Sequence, residues 1–124
     1  MTTTHFTEGT YTAEFLISES EQPNYSREVV TIASGQNLGP GTVLGKITAG
    51  GSYTQFDQDA TDGSQHAAGI LYAPVDASGG AAPAVIIARD AIVNGELLVW
   101  PADIDAGEKT AAIAELIALG ILVR

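Results

Sequence analysis

Residues 27–48 read REVVTIASGQNLGPGTVLGKIT, and this stretch indicates the class of fold. The β-branched run 27–32 favours a strand, because branched side chains suit the half-buried surface of a sheet. The glycine–proline–glycine run 39–41 favours a turn, since glycine tolerates positive φ and proline restricts φ to about −65°. Residues 42–48 (TVLGKIT) predict a second strand. The sequence therefore predicts a strand, a turn and a strand in succession.

The same alternation of short apolar runs and turns continues towards the C-terminus. Residues 59–64 (DATDGS) favour a turn between two such runs. A proline inside an apolar run favours a bend, because proline cannot donate to a strand ladder. Further strands are predicted at 53–56, at 67–75 with a bend at Pro74, at 84–89, at 96–100 after the turn dipeptide Asn94-Gly95, and at 121–123.

One helix is predicted near the C-terminus. Asp105 and Glu108 have the spacing of a capping box, and Gly120 suits the C-terminal stop. Between them the apolar positions recur at helical spacing and cover a wide arc of the helix surface. We therefore expect the helix to be buried on more than one side, either by the chain's own sheet or by a neighbouring copy. The predicted class is therefore α+β, mostly β: a compact domain of short strands with one C-terminal helix and an extended N-terminal arm.

Residues 1–25 are predicted to form that arm, and residues 26–124 the β-rich domain. Six of the first twelve residues are threonine, and neither lysine nor arginine occurs before Arg27. Threonine, tyrosine and phenylalanine favour extended chain. Two interpretations stay open: a frayed terminus, or an arm that becomes ordered when it adds to the sheet edge of another protein. In the second, the side chains expected to contact the partner are Phe6, Tyr11, Phe15, Leu16 and Ile17.

The charge balance disfavours several classes of function. The chain has 15 acidic and 5 basic residues, a formal net charge of −10. This charge opposes binding to nucleic acids and to anionic membranes. The chain contains no cysteine, which excludes disulfides, thiolate catalysis and cysteine-based metal sites. Neither a secretion signal nor a membrane-spanning helix is predicted, because the N-terminal stretch lacks a basic and an apolar region and no apolar run reaches about 18 residues.

No constellation of residues predicts an enzyme. The glycines in residues 39–45 are spaced G-x-G-x-x-x-G and precede a predicted strand, so no helix N-terminus would meet a phosphate. Residues 57–63 resemble a calcium loop but lack the glycine and the glutamate that such a loop requires at its sixth and twelfth positions. His5 and His66 match no metal-ligand or catalytic-triad spacing. We therefore predict no catalytic residue, no cofactor and no metal site.

Another group of apolar residues is expected to serve packing, either in the core or between subunits. Trp100-Pro101 is interpreted as a packing anchor and not as a ligand site, and the helix supplies the remaining members. The group consists of Trp100, Pro101, Ile113, Leu116 and Ile117.

Several segments, taken in order, resemble the lambda-type phage head decoration proteins (the protein D family). The run 39–48 (GPGTVLGKIT) resembles their opening, and Asp62-Gly63, 67–71 (AAGIL) and 96–101 (ELLVWP) continue the similarity. The closing helix with 119–124 (LGILVR) also fits. Each segment is generic by itself, and it is their order and spacing over residues 27–124 that carry the resemblance.

The resemblance implies a structural function without catalytic residues. Proteins of this family form homotrimers at threefold sites outside an expanded icosahedral head and hold it against the pressure of packaged DNA. It implies the major capsid protein and copies of the chain itself as partners, and a place on the exterior of a virion assembled in the host cytoplasm. It also implies an arm that is mobile when free and ordered on the capsid. The N-terminal stretch is longer and more aromatic here than in the lambda member.

Two other functions stay open. One is a small acidic ligand- or metal-binding β domain that uses residues 57–62 together with His66. The other is a trimeric tail or adhesion component.

Overall fold

The computed structural model describes residues 15–19 and 26–124. Phe6 and Tyr11, two of the predicted arm contacts, lie outside these residues. The described residues confirm the predicted class, since they form mostly strands with one α-helix near the C-terminus. The helix, α1, is Ala106–Ala118, and a 3-10 helix is formed by Gly95–Leu97. The strands are β1 Leu16–Glu19, β2 Arg27–Ile32, β3 Asn37–Leu38, β4 Val43–Lys46, β5 Tyr53–Gln55, β6 Ala67–Leu71, β7 Val75–Asp76, β8 Ala82–Ile87, β9 Ala91–Val93 and β10 Ile121–Val123.

Five strands close into a barrel in the order β2-β5-β4-β6-β8. Strand β2 has the bounds that the sequence predicts, and it pairs with β8 along its whole length, from Arg27 opposite Ile87 to Ile32 opposite Ala82. The predicted bend at Pro74 is confirmed, because β6 ends at Leu71 and β7 begins at Val75. Strand β7 then leaves the barrel and pairs with β3 in a two-stranded sheet.

A second, three-stranded sheet has the order β1-β9-β10. Strand β10 runs parallel to β9, and α1 forms the crossover between them, as a parallel connection requires. Strand β1 runs antiparallel to the other edge of β9, with an irregularity between Leu16 and Ser18. Part of the predicted arm, residues 16–19, is therefore paired with the domain in this structure.

The apolar core has two clusters. One lies within the barrel and includes Ile32, Leu44, Leu71 and Ile86, all fully buried. The other joins the barrel to α1 and the three-stranded sheet, and at its centre Phe15, Leu116 and Ile121 are each 0% exposed. Full burial of a large apolar side chain contributes about 1.5–3 kcal/mol. The second cluster therefore holds the two sheets and the helix together.

The helix begins and ends where the sequence predicts. The Asp105 carboxylate accepts a hydrogen bond of 2.7 Å from the Glu108 backbone N–H, and Glu108 accepts one of 3.1 Å from the Asp105 N–H. These bonds complete the capping box. Gly120 has φ +92°, the left-handed conformation that ends a helix. The chain's own sheet covers only one face of α1, because Ile117 remains 49% exposed.

The prediction of a strand at 96–100 is wrong. The Asn94 side chain accepts a hydrogen bond from the Glu96 N–H at 3.0 Å, which begins the 3-10 helix Gly95–Leu97. Only Val99, in a single bridge with Thr42, has strand-like pairing there. Strand β9, Ala91–Val93, is not among the predicted strands.

We expect Leu116→Ala to lower the free energy of unfolding by about 2–5 kcal/mol, because it removes a fully buried side chain and leaves a cavity. The matched control is Ile117→Ala on the next residue of α1, which is 49% exposed and should change stability much less. Urea unfolding followed by circular dichroism measures both values. Equal losses in the two variants would contradict the assignment of Leu116 to the core.

Candidate functional site

Large apolar side chains are exposed where α1 meets the three-stranded sheet. Ile17 in β1, Leu122 in β10 and Leu119 just after α1 are 56%, 41% and 38% exposed. Single exposed apolar residues are common on protein surfaces, but a group of neighbours is typical of an interaction site. Two other exposed apolar residues, Val29 and Val99, lie on β2 and after the 3-10 helix.

The register of the three-stranded sheet explains this exposure. Successive side chains of a strand point to opposite faces of the sheet. Ala91, Val93 and Ile121 are buried on the inner face. Ile92 stands opposite Leu122 in the register, and both therefore lie on the outer face. At the other edge of β9, Ser18 of β1 is paired with Ile92 in the register. We call Ile92 and Leu122 the outer apolar face.

Two grooves meet beside this face, at Asp90 and Gly120. One groove, of about 280 Å³, is lined by residues that include Ser18, Ile92 and Leu122. The other, of about 610 Å³, lies between the barrel and the end of α1 and also has Asp90 and Gly120 in its lining. Both grooves thus have Asp90 and Gly120 in their linings.

The backbone at this junction is constrained. Asp90 has φ +56°, which few residues other than glycine adopt, and Gly120 has φ +92°. The Ser26 hydroxyl donates a 3.0 Å hydrogen bond to the Asp90 carbonyl, and the Ala91 N–H donates to the Gly120 carbonyl at 3.2 Å. A Cβ on Gly120 would lie 3.2 Å from the Asp90 backbone nitrogen. A side chain at position 120 would therefore crowd the junction and also strain the backbone.

The basic residues beside the outer apolar face are paired. Arg27 donates to Glu19 from Nη2 at 2.7 Å and from Nε at 3.1 Å, and its guanidinium lies 4.3 Å from the centre of the Tyr72 ring. The hydrogen bond with Glu19 raises the pKa of Arg27. Arg89 donates to Glu28 at 2.6 Å. Asp90, which lines both grooves, adds a further carboxyl group at this end of the domain.

The other end of the domain is acidic. A groove of about 570 Å³ near the start of α1 is lined by residues that include Asp57, Asp59, Asp62 and Asp103, and none of its described lining residues is basic. Partial desolvation, followed by repulsion from Asp103, Glu108 and Asp57, raises the pKa of Asp59. Within the described residues, no group of three or more His, Cys, Asp or Glu side chains could hold a metal ion.

The loop that resembles a calcium site uses its carboxylates to hold its own turns. Asp57 accepts a hydrogen bond from the Asp59 N–H at 3.0 Å. Asp62 accepts hydrogen bonds from the Ser64 hydroxyl at 2.6 Å and from the Ser64 N–H at 3.0 Å. The hydroxyl bond, together with the backbone bond, lowers the pKa of Asp62. These bonds give the loop a structural role.

His66 contacts the helix instead of the acidic loop. Its Nδ1 lies 2.6 Å from Glu115 Oε2, and the other Glu115 oxygen accepts a hydrogen bond of 2.8 Å from the Ala67 N–H. Glu115 therefore ties the start of β6 to α1. The structure does not bring His66 together with residues 57–62 in any hydrogen bond between their side chains.

The residues predicted to contact a partner through the arm differ in burial where the arm joins the domain. Phe15 is completely buried in the chain's own core, and Leu16 packs against that core. Ile17, at the irregularity of β1, is exposed. Phe15 and Leu16 thus anchor the arm to the domain, and Ile17 is free to meet another surface.

The residues predicted to serve packing also differ in burial. Leu116 is fully buried, whereas Trp100 and Ile113 are partly buried. The Trp100 ring packs edge-on against Phe56, with centroids 6.0 Å apart and planes at 88°, and Lys109 Nζ lies 5.9 Å from its centre. Pro101 is partly buried beside the acidic groove. Within the protomer, Leu116 and Trp100 serve the core, and Ile117 is left at the surface.

Sequence reasoning missed Ile92, Leu119 and Leu122 as a surface group. The sequence carries part of this signal, because the apolar positions of the helix recur over a wide arc. The missing information was the existence of β9 and its parallel pairing with β10, which places Ile92 beside Leu122.

None of the described helices is both long and apolar enough to cross a membrane.

Comparison with known proteins gives one family. The family model described as bacteriophage lambda head decoration protein D matches residues 5–121. No curated protein matches the chain at a significant level.

We expect Ser64→Ala to reduce stability in a pH-dependent way. A carboxyl group whose pKa is lower in the folded than in the unfolded state stabilises the fold above its unfolded pKa, about 3.9, and this contribution is lost as the pH falls through the folded pKa. Removing the hydroxyl raises the pKa of Asp62 towards its ordinary value. The stability difference from the native chain should therefore be largest near neutral pH and should shrink as the pH falls below the unfolded pKa of about 3.9.

Urea unfolding at several pH values, with the Asp62 carboxyl titrated by NMR, measures this effect. Ser34→Ala is the matched control, since Ser34 is an exposed residue that lines the same groove. A stability difference for Ser64→Ala that stays constant from neutral to acidic pH would show that the bond to Asp62 does not cause it.

Proposed function

The chain belongs to the bacteriophage lambda head decoration protein D family, and from this membership we propose that it binds as a trimer to the outer surface of an expanded phage head. In this proposal three copies occupy a local threefold site and hold the shell against the pressure of packaged DNA. The family match over residues 5–121 is the observation that carries the proposal. The family is one of structural head proteins, and no step of the proposed function requires catalysis.

The proposed partners are the major capsid protein and two further copies of the chain. The proposed location is the exterior of the virion, after assembly in the host cytoplasm. A net charge of −10 is consistent with this location, because an acidic protein outside the shell does not compete for the packaged DNA.

The proposed stabilisation is a linkage effect. A ligand that binds one state of an equilibrium and not the other stabilises the first state by RT ln(1 + [L]/Kd), about 2.7 kcal/mol per site when the ligand is present at 100 times its Kd. A decoration protein that binds only the expanded lattice therefore opposes its collapse or rupture. Many threefold sites on one shell multiply this contribution.

The N-terminal arm is the proposed means of attachment. Phe15 anchors it, because the side chain is buried and the backbone carbonyl accepts a 2.8 Å hydrogen bond from the Asn94 N–H. Phe6, Tyr11 and Ile17 are the residues proposed to contact the capsid protein, with strand addition as the mode. Three arms on one trimer raise the effective concentration of each, so individually weak contacts give tight attachment.

Subunit contacts are proposed at those members of the packing group whose side chains reach the surface. Ile117 is exposed, and Trp100, Pro101 and Ile113 are partly exposed. Leu116 is enclosed within the protomer and is assigned to the core alone.

The first test is the mass in solution, with and without phage heads. We expect light scattering to give a mass near three times 12.8 kDa, and the protein to sediment with expanded heads but not with unexpanded ones. Decorated heads should also retain their DNA to a higher temperature than bare heads. A trimer that ignores heads would instead favour a tail or adhesion component, and a monomer that ignores them would remove the proposed function.

Deletion of residues 2–14 should leave a folded protein with an unchanged number of subunits, whose attachment to expanded heads is weakened at least tenfold. The physical reason is that the deletion removes Phe6 and Tyr11 but keeps the buried anchor Phe15. Co-sedimentation with expanded heads over a range of protein concentrations measures the affinity. The control is Phe15→Ala in the full-length chain, which should lower the melting temperature while keeping the arm. Unchanged occupancy after the deletion would contradict the role of the arm.

A further inference from the structure

We propose that Asn94-Gly95 is a deamidation site which the folded domain holds closed, and which opens when either edge strand of the three-stranded sheet separates from β9. It is the only Asn-Gly dipeptide in the sequence. Glycine after asparagine favours deamidation, because it has no side chain to hinder attack by its nitrogen and leaves the backbone free to rotate. The reaction requires water but no partner, so it is independent of the proposed function.

The reaction joins the two residues in a cyclic imide. The Gly95 nitrogen attacks Asn94 Cγ, the bond from Cγ to Nδ2 breaks, and Nδ2 leaves as ammonia with the proton of the Gly95 nitrogen. Water then adds to one of the two imide carbonyls. Cleavage of the new bond to Cγ gives aspartate, and cleavage of the original peptide bond gives isoaspartate. The net change consumes a water molecule and releases ammonia.

The conformation of Asn94 opposes this ring closure. Its backbone is extended, with φ −86° and ψ 111°. In the planar imide the Gly95 nitrogen eclipses the Cα–Cβ bond of Asn94, whereas an extended ψ turns that nitrogen away from Cβ. The side chain is held as well, because its Oδ1 accepts the 3.0 Å hydrogen bond from the Glu96 N–H. Attack therefore requires both the backbone and the side chain of Asn94 to move.

The attacking nitrogen is also occupied. The Gly95 N–H donates a hydrogen bond of 2.7 Å to the main-chain oxygen of Arg124. Attack requires this nitrogen to lose its proton, and a hydrogen bond made by the protonated form favours that form. The Arg124 N–H in turn donates to the Val93 carbonyl at 2.9 Å. The residue that follows β10 therefore fixes the chain on both sides of Asn94.

Strand β1 holds the dipeptide from the other side. The Asn94 N–H donates to the Phe15 carbonyl at 2.8 Å, and Leu16 pairs with Val93. Within the described residues, β1 and β10 are the two edges of this sheet, and they are four and three residues long. Short edge elements separate locally at a lower free energy than global unfolding requires. Separation of either edge therefore opens the site while the barrel stays folded.

The fold does not accept a side chain at position 95. A Cβ on Gly95 would lie 2.8 Å from Val123 Cγ1 and 3.3 Å from the Arg124 main-chain oxygen. The close approach of β10 to the start of the 3-10 helix therefore requires glycine after Asn94. The contacts that require the reactive dipeptide are thus also contacts that hold it closed.

The two products differ in their effect on the sheet. Isoaspartate adds a methylene to the main chain, so the bonds to Phe15 and Arg124 fall out of register. Aspartate keeps the main chain, and its carboxylate can accept the hydrogen bond from the Glu96 N–H as asparagine does. We expect chains with isoaspartate at position 94 to melt at a lower temperature than the native chain, and Asn94→Asp to melt as the native chain does.

The first test compares deamidation in the folded chain and in the chain unfolded by urea, at the same mildly alkaline pH and temperature. Peptide mapping by mass spectrometry measures the rate at each asparagine. We expect Asn94 to react at least tenfold more slowly in the folded chain. Asn37, which precedes Leu38 in β3, is the internal control and should react slowly in both states. Equal rates at Asn94 in the two states would overturn the inference.

The second test removes the acceptor of the Gly95 N–H. Deletion of Arg124 removes its main-chain oxygen, whereas the matched control Arg124→Ala removes only an exposed side chain. We expect the deletion to speed deamidation of the folded chain at least threefold and to speed amide hydrogen exchange at Gly95, while Arg124→Ala keeps the native rates. Equal rates in the deletion and in Arg124→Ala would show that this bond does not close the site.

The third test loosens the other edge and does not depend on whether the Arg124 deletion folds. Phe15→Ala and Leu116→Ala each remove a buried side chain of the same cluster, but only Phe15 has the carbonyl that binds the Asn94 N–H. At a temperature well below both melting temperatures, we expect faster deamidation of Asn94 in Phe15→Ala alone. Equal acceleration in both variants, or the native rate in Phe15→Ala, would contradict opening by separation of β1.

Discussion

The fully buried cluster of Phe15, Leu116 and Ile121 is the constraint on which the rest of the structure depends. Phe15 immediately precedes β1, Leu116 lies in α1 and Ile121 begins β10, so Phe15 is far in sequence from the other two. Their burial removes a large apolar area from water at one place. As a result the helix, the three-stranded sheet and the barrel form one domain, and the root of the N-terminal arm is part of its core.

That arrangement bears on the proposed attachment through the arm, because it places the root of the predicted arm in the core. An arm that leaves from an exposed loop would pull on a weakly held backbone. Here the chain enters at Phe15, whose side chain is buried and whose carbonyl is bonded to Asn94. A load on the proposed arm therefore acts across β1 and its pairing with β9, which is a firm attachment for a protein proposed to hold a shell together.

The surface is divided along the helix. The acidic groove, with Asp57, Asp59 and Asp103, lies near the start of α1, and the outer apolar face lies near its end. The parallel crossover β9-α1-β10 produces this division, because it returns the chain from one end of the domain to the other. The described surface thus has an acidic end and an end with exposed apolar side chains.

The sequence by itself determined the class of fold, the bounds of β2, the capping box and stop of α1, and the order of segments that resembles the head decoration family. These features depend on near neighbours in the chain, such as Asp105 with Glu108, so their signals are local. Only the tertiary structure decided that Phe15 lies in the core instead of on a free arm, that residues 95–97 form a 3-10 helix, and that Ile92 stands beside Leu122. The physical reason is that burial and strand register depend on contacts between residues distant in sequence.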